Sequence, residues 1–182
     1  PRALYERFGI EFLATTDGAL DPLADHATIA ASGWGGRVVP TFRPDDVVDP
    51  DRPDFQDNLG RLGELTGEDT VSWPGYLAAL RARRQAFIAA EATATDHGHP
   101  SALTVDLPPR EAEELFRRVR KGEAEPGDAE RFRGQLLVEM AAMSVEDGLV
   151  LQLHAGSWRG HNPTLAERFG PDMGADIPKP MD

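Results

Sequence analysis

Residues 149–162 read LVLQLHAGSWRGHN, an apolar run that ends in a histidine and passes at once into glycine and a polar loop. Leu149, Val150, Leu151 and Leu153 are too continuous for a half-exposed ribbon and are expected to form a strand buried on both faces. A strand of that kind belongs in an α/β sheet. His154, Arg159, His161 and Asn162 follow its carboxyl end, where parallel sheets and barrels carry their ligand-facing groups. The chemistry is expected to gather there.

Three earlier segments repeat the pattern of an extended run ending in polar groups. Residues 10–14 lead into Thr15, Thr16 and Asp17; residues 37–42 lead into Arg43, Pro44 and Asp45; residues 92–95 lead into DHGHP, Asp96 to Pro100. The four strands are expected to lie parallel and adjacent. Helical spacing separates them. Leu4, Tyr5 and Phe8 mark a short helix closed by Gly9. Asp21 is expected to cap a second, with Pro22 in its first turn and Leu23, Ala27, Ile29 and Ala30 buried before Ser32 and Gly33 stop it. His26, in the middle of that helix, reads as structural.

The Asp- and Pro-rich residues 46–57 read as a loop, after which Phe55, Leu59, Leu62 and Leu65 restart a helical period. Residues 73–90 form the clearest helix, with Tyr76, Leu77, Leu80, Phe87 and Ile88 as its apolar stripe and Arg81, Arg83 and Arg84 as a solvated face. The length of the connection over 46–75 points to a helical insertion. Residues 111–121 bury Leu115, Phe116 and Val119; residues 128–143 bury Phe132, Leu136, Leu137, Met140 and Met143, the methionines as core filler. Gly148 ends that helix. Asn162 caps a last helix with Pro163 in its first position and Leu165 and Phe169 facing inward, and the tail PDMGADIPKPMD shows no stable element. The reading divides one incomplete barrel domain into strands and a helix over 1–49, a helical insertion and barrel helix over 50–91, and strands and helices over 92–182.

The 182 residues suffice for a sizeable core, and 40% of them are hydrophobic. A balance of 31 acidic against 19 basic residues gives a net charge of −12, which excludes nucleic acid as the default partner. An acidic protein that handles an anion must do so with a few local arginines. There is no cysteine, so any metal needs His, Asp, Glu or backbone oxygen ligands, and a reducing cytoplasm is compatible. No signal-peptide pattern and no apolar run of about 18 residues occurs, so no membrane is expected. The chain opens on PRALYERF without a methionine, as if cut from something longer.

Four of the five histidines, His97, His99, His154 and His161, fall in two clusters that follow expected strands, which favours a site at strand ends. The segment DHGH is explained equally by a turn with a capping aspartate. Arg43 is the best anion-binding candidate, because a guanidinium offers a fork to a carboxylate and Pro44 fixes the turn behind it. A strand-end ion pair with Asp45 or Asp46 accounts for it as well. G-x-G-x-x-G, P-loop and G-x-S-x-G motifs are absent, so dinucleotide, nucleotide and serine-hydrolase readings find no support.

LATTDGALDPLADH, RVVPTFRPD, ATDHG, LVLQLHAGSWRGHN and ERFGPDMGADIP, in this order, resemble the uronate isomerase (glucuronate isomerase) family of the amidohydrolase superfamily. The resemblance spans nearly the whole chain. It implies a partial (β/α)8 TIM-type barrel with a helical insertion, in which this chain supplies about four of the eight parallel strands. It also implies aldose–ketose isomerisation of hexuronates, D-glucuronate to D-fructuronate and D-galacturonate to D-tagaturonate, beside one divalent metal, usually zinc. Arg43 matches the arginine that binds the substrate carboxylate, and His154 the histidine of a Gln-x-His-x-Gly segment. Arg159 and Asn162 match the ends of an Arg-Asn-Asn-Asn run whose middle is here Gly160 and His161. A Ser-Asp-His expected a few residues after His97 and Gly98 is replaced by HPSALTVD, which points to a divergent branch.

The family's His-x-His ligands on the first barrel strand and its metal-binding aspartate on the last are missing from these residues. The resemblance therefore implies an internal segment of a longer enzyme, inactive and poorly folded alone, with metal ligands mainly outside it. In the reaction a proton moves between C2 and C1 through an enediol, whose developing charge needs a metal or cationic donors. His154 and His97 are the expected catalytic residues, with Arg43, Arg159, Asn162, Asp17 and Asp96 binding substrate. The implied partner is a small sugar acid, in a cytoplasmic homo-oligomer. A metal-dependent hydrolase on the same scaffold and a non-catalytic sugar-acid binding fragment are the alternatives.

Overall fold

Strands β1 (Phe12–Gly18), β2 (Arg37–Arg43), β3 (Ala94–His97) and β4 (Val150–Leu153) pair in parallel in the order of the chain. They form the sheet of a computed structural model that describes residues 1–170, 173 and 176–180. Each strand lies beside the next in sequence, with helices in the crossovers. That order, without a reversal, is the one a section of (β/α) barrel wall requires. The expected α/β class and the four parallel, adjacent strands are found.

Two strands run further than expected. Thr15, Thr16 and Asp17 belong to β1, because β-branched threonines suit an extended backbone, and Asp96 and His97 belong to β3. Residues 149–153 are not buried on both faces: Leu149 is buried, but Val150 is 62% exposed. The reason is topological. Among the described residues β4 pairs only with β3 and β1 only with β2, so both outer strands show apolar side chains, Phe12 and Leu13 on one and Val150 and Leu153 on the other. The middle of the sheet is covered, and Val39, Phe42, Thr95 and His97 are all buried.

Eight helices accompany the strands among the described residues: α1 (Arg2–Arg7), α2 (Ala24–Ala31), α3 (Asp45–Val48), α4 (Phe55–Thr66), α5 (Trp73–Ala89), α6 (Pro109–Lys121), α7 (Asp128–Asp147) and α8 (Pro163–Phe169). Their core is aromatic. Tyr76 of α5 stacks on Phe116 of α6 with centroids 4.9 Å apart, Phe132 of α7 lies between Phe55 of α4 and Trp73, and Phe87 meets Phe42 of the sheet edge-on. The expected apolar faces of α6 and α7 are buried, Met140 and Met143 included. Gly148, at φ +80°, ends α7.

Several local expectations are corrected. Asp21 does not cap α2: its carboxylate takes the N–H of Leu23 at 2.6 Å, Leu23 adopts φ +57°, and the helix starts at Ala24 with no residue fully buried. Ala27 and Ala30 are exposed, because α2 is a short helix laid on the outside of β2. A helical turn, α3, interrupts the stretch expected to be a loop. Arg83 and Arg84 are not a solvated face. Arg83 donates to the carbonyls of Ala19 and Asp21 at 2.7 Å each, and Arg84 forms a fork on Asp147 at 2.6 and 2.8 Å. Leu165 and Phe169 of α8 are exposed rather than inward. The tail contains one ordered pairing, β5 (Ser157–Trp158) antiparallel to β6 (Ile177–Pro178); residues 171, 172, 174, 175, 181 and 182 of it lie outside the described residues. No helix among the described residues is long and apolar enough to cross a membrane.

Candidate active site

Arg43 is the last residue of β2, and Pro44 turns the chain into α3 so that Asp45 folds back beside it. Arg43 Nε donates to Asp45 Oδ2 at 2.7 Å, and the other carboxylate oxygen takes the N–H of Gly98 at 3.1 Å. Gly98 must be glycine for this approach, since a Cβ there would overlap Arg43 Nη2 and Asp45 Oδ2. Asp46, the other partner considered from sequence, turns instead to the N–H groups of Ala19 and Leu20, and burial raises its pKa.

The line of contacts continues across the strand ends. Arg43 Nη1 lies 3.6 Å from Asp96 Oδ2 on β3, and Asp96 Oδ1 lies 3.0 Å from His154 Nε2 just after β4. Arg43, Asp96 and His154 thus come together at the carboxyl ends of three adjacent strands. Arg43 also lines a cleft of about 680 Å³, of which Asp96 and His154 are not lining residues and which is bordered by Asp45, His99, Arg133 and Arg159 among others. The cleft carries charged side chains and is large enough for a sugar. Four arginines from separate segments, Arg43, Arg52, Arg133 and Arg159, border it, in a protein whose net charge is −12.

Residues 1–181 match the sequence profile of the family described as glucuronate isomerase. The chain belongs to that family. It is 60% identical to the uronate isomerase of Xanthomonas campestris pv. campestris (strain B100) and 61% identical to that of Rhizorhabdus wittichii, in each case over all 182 residues. The chain spans 39% of the length of each of these relatives. Among solved structures, glucuronate isomerase from Caulobacter crescentus superposes on the whole chain with a TM-score of 0.95 at 52% identity, over 38% of its own length. Uronate isomerase from Thermotoga maritima does so with a TM-score of 0.93 at 26% identity, over 41% of its own length.

Within this member of the glucuronate isomerase family, the remaining residues singled out from sequence are placed as follows. Arg159 reaches the cleft from the turn after β5, 4.0 Å from Asp176, whose carboxylate also takes the N–H of Gly160 at 3.0 Å. Asn162 caps α8, its Oδ1 accepting from Leu165 N at 3.2 Å, as the sequence led us to expect of a helix start; it does not line the cleft. Asp17 turns towards α2, accepting from Thr15 Oγ1 at 2.7 Å and lying 3.7 Å from His26 Nε2, which is itself 2.9 Å from Thr15 Oγ1. That group is separate from the cleft lining.

His97 is fully buried, with Nε2 2.9 Å from Thr95 Oγ1 and Nδ1 without a hydrogen-bond partner among the described residues. Desolvation pushes its pKa down to about 3, so the ring is neutral near pH 7. Its carbonyl oxygen takes the N–H of His154 at 3.2 Å, which ties β3 to the start of the histidine-bearing loop. His99 lines the cleft although it is only 5% exposed, and burial lowers its pKa while Asp45 opposes the shift.

Sequence reasoning missed Arg133 of α7, which lines the cleft and donates from Nη1 to Asp49 at 2.8 Å and Asp51 at 2.7 Å. The signal was present. Arg133, Leu137 and Met140 fall at i, i+4 and i+7, so Arg133 shares the buried face with residues that were recognised as core. Among the described residues no three His, Asp or Glu side chains converge as metal ligands. The donors present do not by themselves fit a divalent metal.

Proposed function

We propose that this chain carries the carboxylate-recognition side of an aldose–ketose isomerase of hexuronates, acting on D-glucuronate and D-galacturonate. The observation that carries the reading is the contact line Arg43, Asp96, His154 at adjacent strand ends beside a sugar-sized cleft, in a member of the glucuronate isomerase family. Arg43, oriented by Asp45 and lining the cleft, is the guanidinium that meets a C6 carboxylate in this reading. Asp96, with Oδ1 3.0 Å from His154 Nε2, orients the ring, so that the imidazole can hold a hydroxyl or the carbonyl oxygen while charge develops on it. Arg159 adds a second cation on the same side.

Interconversion moves one proton between C2 and C1 and one between O2 and O1 and leaves the carboxylate untouched, so a fixed arginine at the far end suits a reaction that needs orientation more than binding strength. The buried, neutral His97 supports the loop of His154 and acts as a positioning residue rather than by touching substrate. A divalent metal belongs to the same proposal, with ligands mainly outside this chain segment, which spans 39% of the length of its relatives. The absence of cysteine suits a reducing cytoplasm, and the exposed apolar strand edges suit association between protein segments, including copies of this protein.

The test is turnover by the full-length protein. D-Glucuronate and D-galacturonate are incubated with it and the ketose products followed by NMR; appearance of D-fructuronate and D-tagaturonate supports the reading. Binding without turnover would leave the sugar-acid binding alternative, and a water-derived product would replace isomerisation by hydrolysis.

A further inference from the structure

His99 directly follows Gly98, whose N–H holds Asp45 and whose missing Cβ admits Arg43, so it stands next to the group assigned to the carboxylate. It lines the cleft, yet its Nε2 is buried and has no hydrogen-bond partner among the described residues. Native proteins keep few buried polar atoms unpaired, and one at the wall of a cleft points to a partner that arrives from the cleft. The chemistry of the lining narrows that partner. Arg43, Arg52, Arg133 and Arg159 can only donate, and ionised Asp45 and Asp49 only accept. A neutral imidazole does one of each, as a hydroxyl does, and burial favours the neutral ring here.

We propose that His99 reads the C4 hydroxyl of the bound uronate and so sets the preference between C4 epimers, a role that rests on the functional reading above. The position follows from adjacency: His99 comes one residue after Gly98, against which Arg43 packs, so it stands at the end of the cleft assigned to the carboxylate. That selects hydroxyls at C5 and C4 over those near the reacting C1 and C2.

The experiment measures kcat and KM of the full-length protein on D-glucuronate and D-galacturonate, which differ at C4. His99→Phe keeps an aromatic ring and removes both nitrogens. It should lower kcat/KM for the preferred epimer roughly threefold to tenfold, mainly through KM, and leave the other nearly unchanged. His99→Gln, which returns an amide near Nε2, should restore most of the ratio between epimers. Equal losses on both sugars, or none, overturn the role. If His99→Phe fails to fold, His99→Gln is compared with His99→Asn, whose amide falls near Nδ1; identical epimer ratios in the two overturn it as well. A wild-type protein that isomerises neither uronate overturns the functional reading and this role together, whereas normal wild-type turnover with an unaltered ratio in His99→Phe removes this role alone.

Discussion

Asp45 receives Arg43 Nε on one carboxylate oxygen at 2.7 Å and Gly98 N–H on the other at 3.1 Å. A single side chain therefore fixes the guanidinium plane to the end of the neighbouring strand. An arginine anchored by one edge has lost most of its rotamer freedom before any ligand arrives, which is what orientation of a substrate requires.

Gly98→Ala tests that anchoring. The added Cβ meets the movable ends of Arg43 and Asp45 rather than backbone, so they shift while the fold persists. In the full-length protein, kcat/KM for D-glucuronate should fall about tenfold to a hundredfold, the scale of a misplaced reactive geometry, while Tm changes by only a few degrees, about 1 kcal/mol or less. A variant as active as the wild type would show that the position of Arg43 is immaterial.

The buried pair Arg84 and Asp147 joins α5 to α7, with side chains 0% and 8% exposed and contacts of 2.6 and 2.8 Å. Removing one partner strands the other charge. Arg84→Ala should cost about 3 to 5 kcal/mol of stability, and the apolar double replacement Arg84→Met with Asp147→Leu should recover most of it. Urea unfolding of the three proteins decides the matter, and a single-variant loss below about 1 kcal/mol would mean the pair behaves as an exposed one.

The acid side of the stability profile should carry the mark of His97. Its folded pKa, about 3, lies below the ordinary histidine value near 6.5, so the unfolded chain takes the proton more readily. The contribution is complete above about pH 6.5, is lost progressively as the pH falls, and ends near the folded value. His97→Gln should therefore reduce the stability lost between pH 7 and pH 5 by about 2 kcal/mol. Denaturant titrations at the two pH values measure it, and parallel losses in variant and wild type would contradict the burial of a neutral ring.

The strands were legible because each couples an apolar run to a polar end, and Gly148 and Asn162 mark helix boundaries by mechanisms that act within a few residues. An ion pair of Arg43 with Asp45 or Asp46 was legible for the same local reason, and the structure selects Asp45. What stayed hidden depended on distant partners. Arg84 sits at i+4 from Leu80 in the buried stripe, yet only Asp147, 63 positions on, makes its burial tolerable. Val150 shows the converse: its preference for burial was readable, but whether a neighbouring strand covers it depends on the sheet's edges. Contact between Asp96 and His154 likewise requires the register that sets Asp96 opposite Gln152.

Arg43→Lys separates carboxylate recognition from a purely structural ion pair. Lysine keeps the charge but is a point donor, so it can still meet Asp45 or Asp96 and cannot present parallel N–H groups to a carboxylate at the same time. A charge-assisted hydrogen bond contributes about 1.5 to 3 kcal/mol, which corresponds to a loss of roughly tenfold to a hundredfold in kcat/KM for a uronate in the full-length protein. A neutral aldose, which brings no carboxylate, should be a poor substrate for the wild type and nearly indifferent to the change. If Arg43 served only Asp45 and Asp96, the substitution would disturb those contacts whatever sugar was bound, and both substrates would lose activity by the same factor. Measuring kcat/KM for both sugars with both proteins distinguishes the two cases. Equal losses would remove the carboxylate from Arg43 and with it the main support for a uronate substrate.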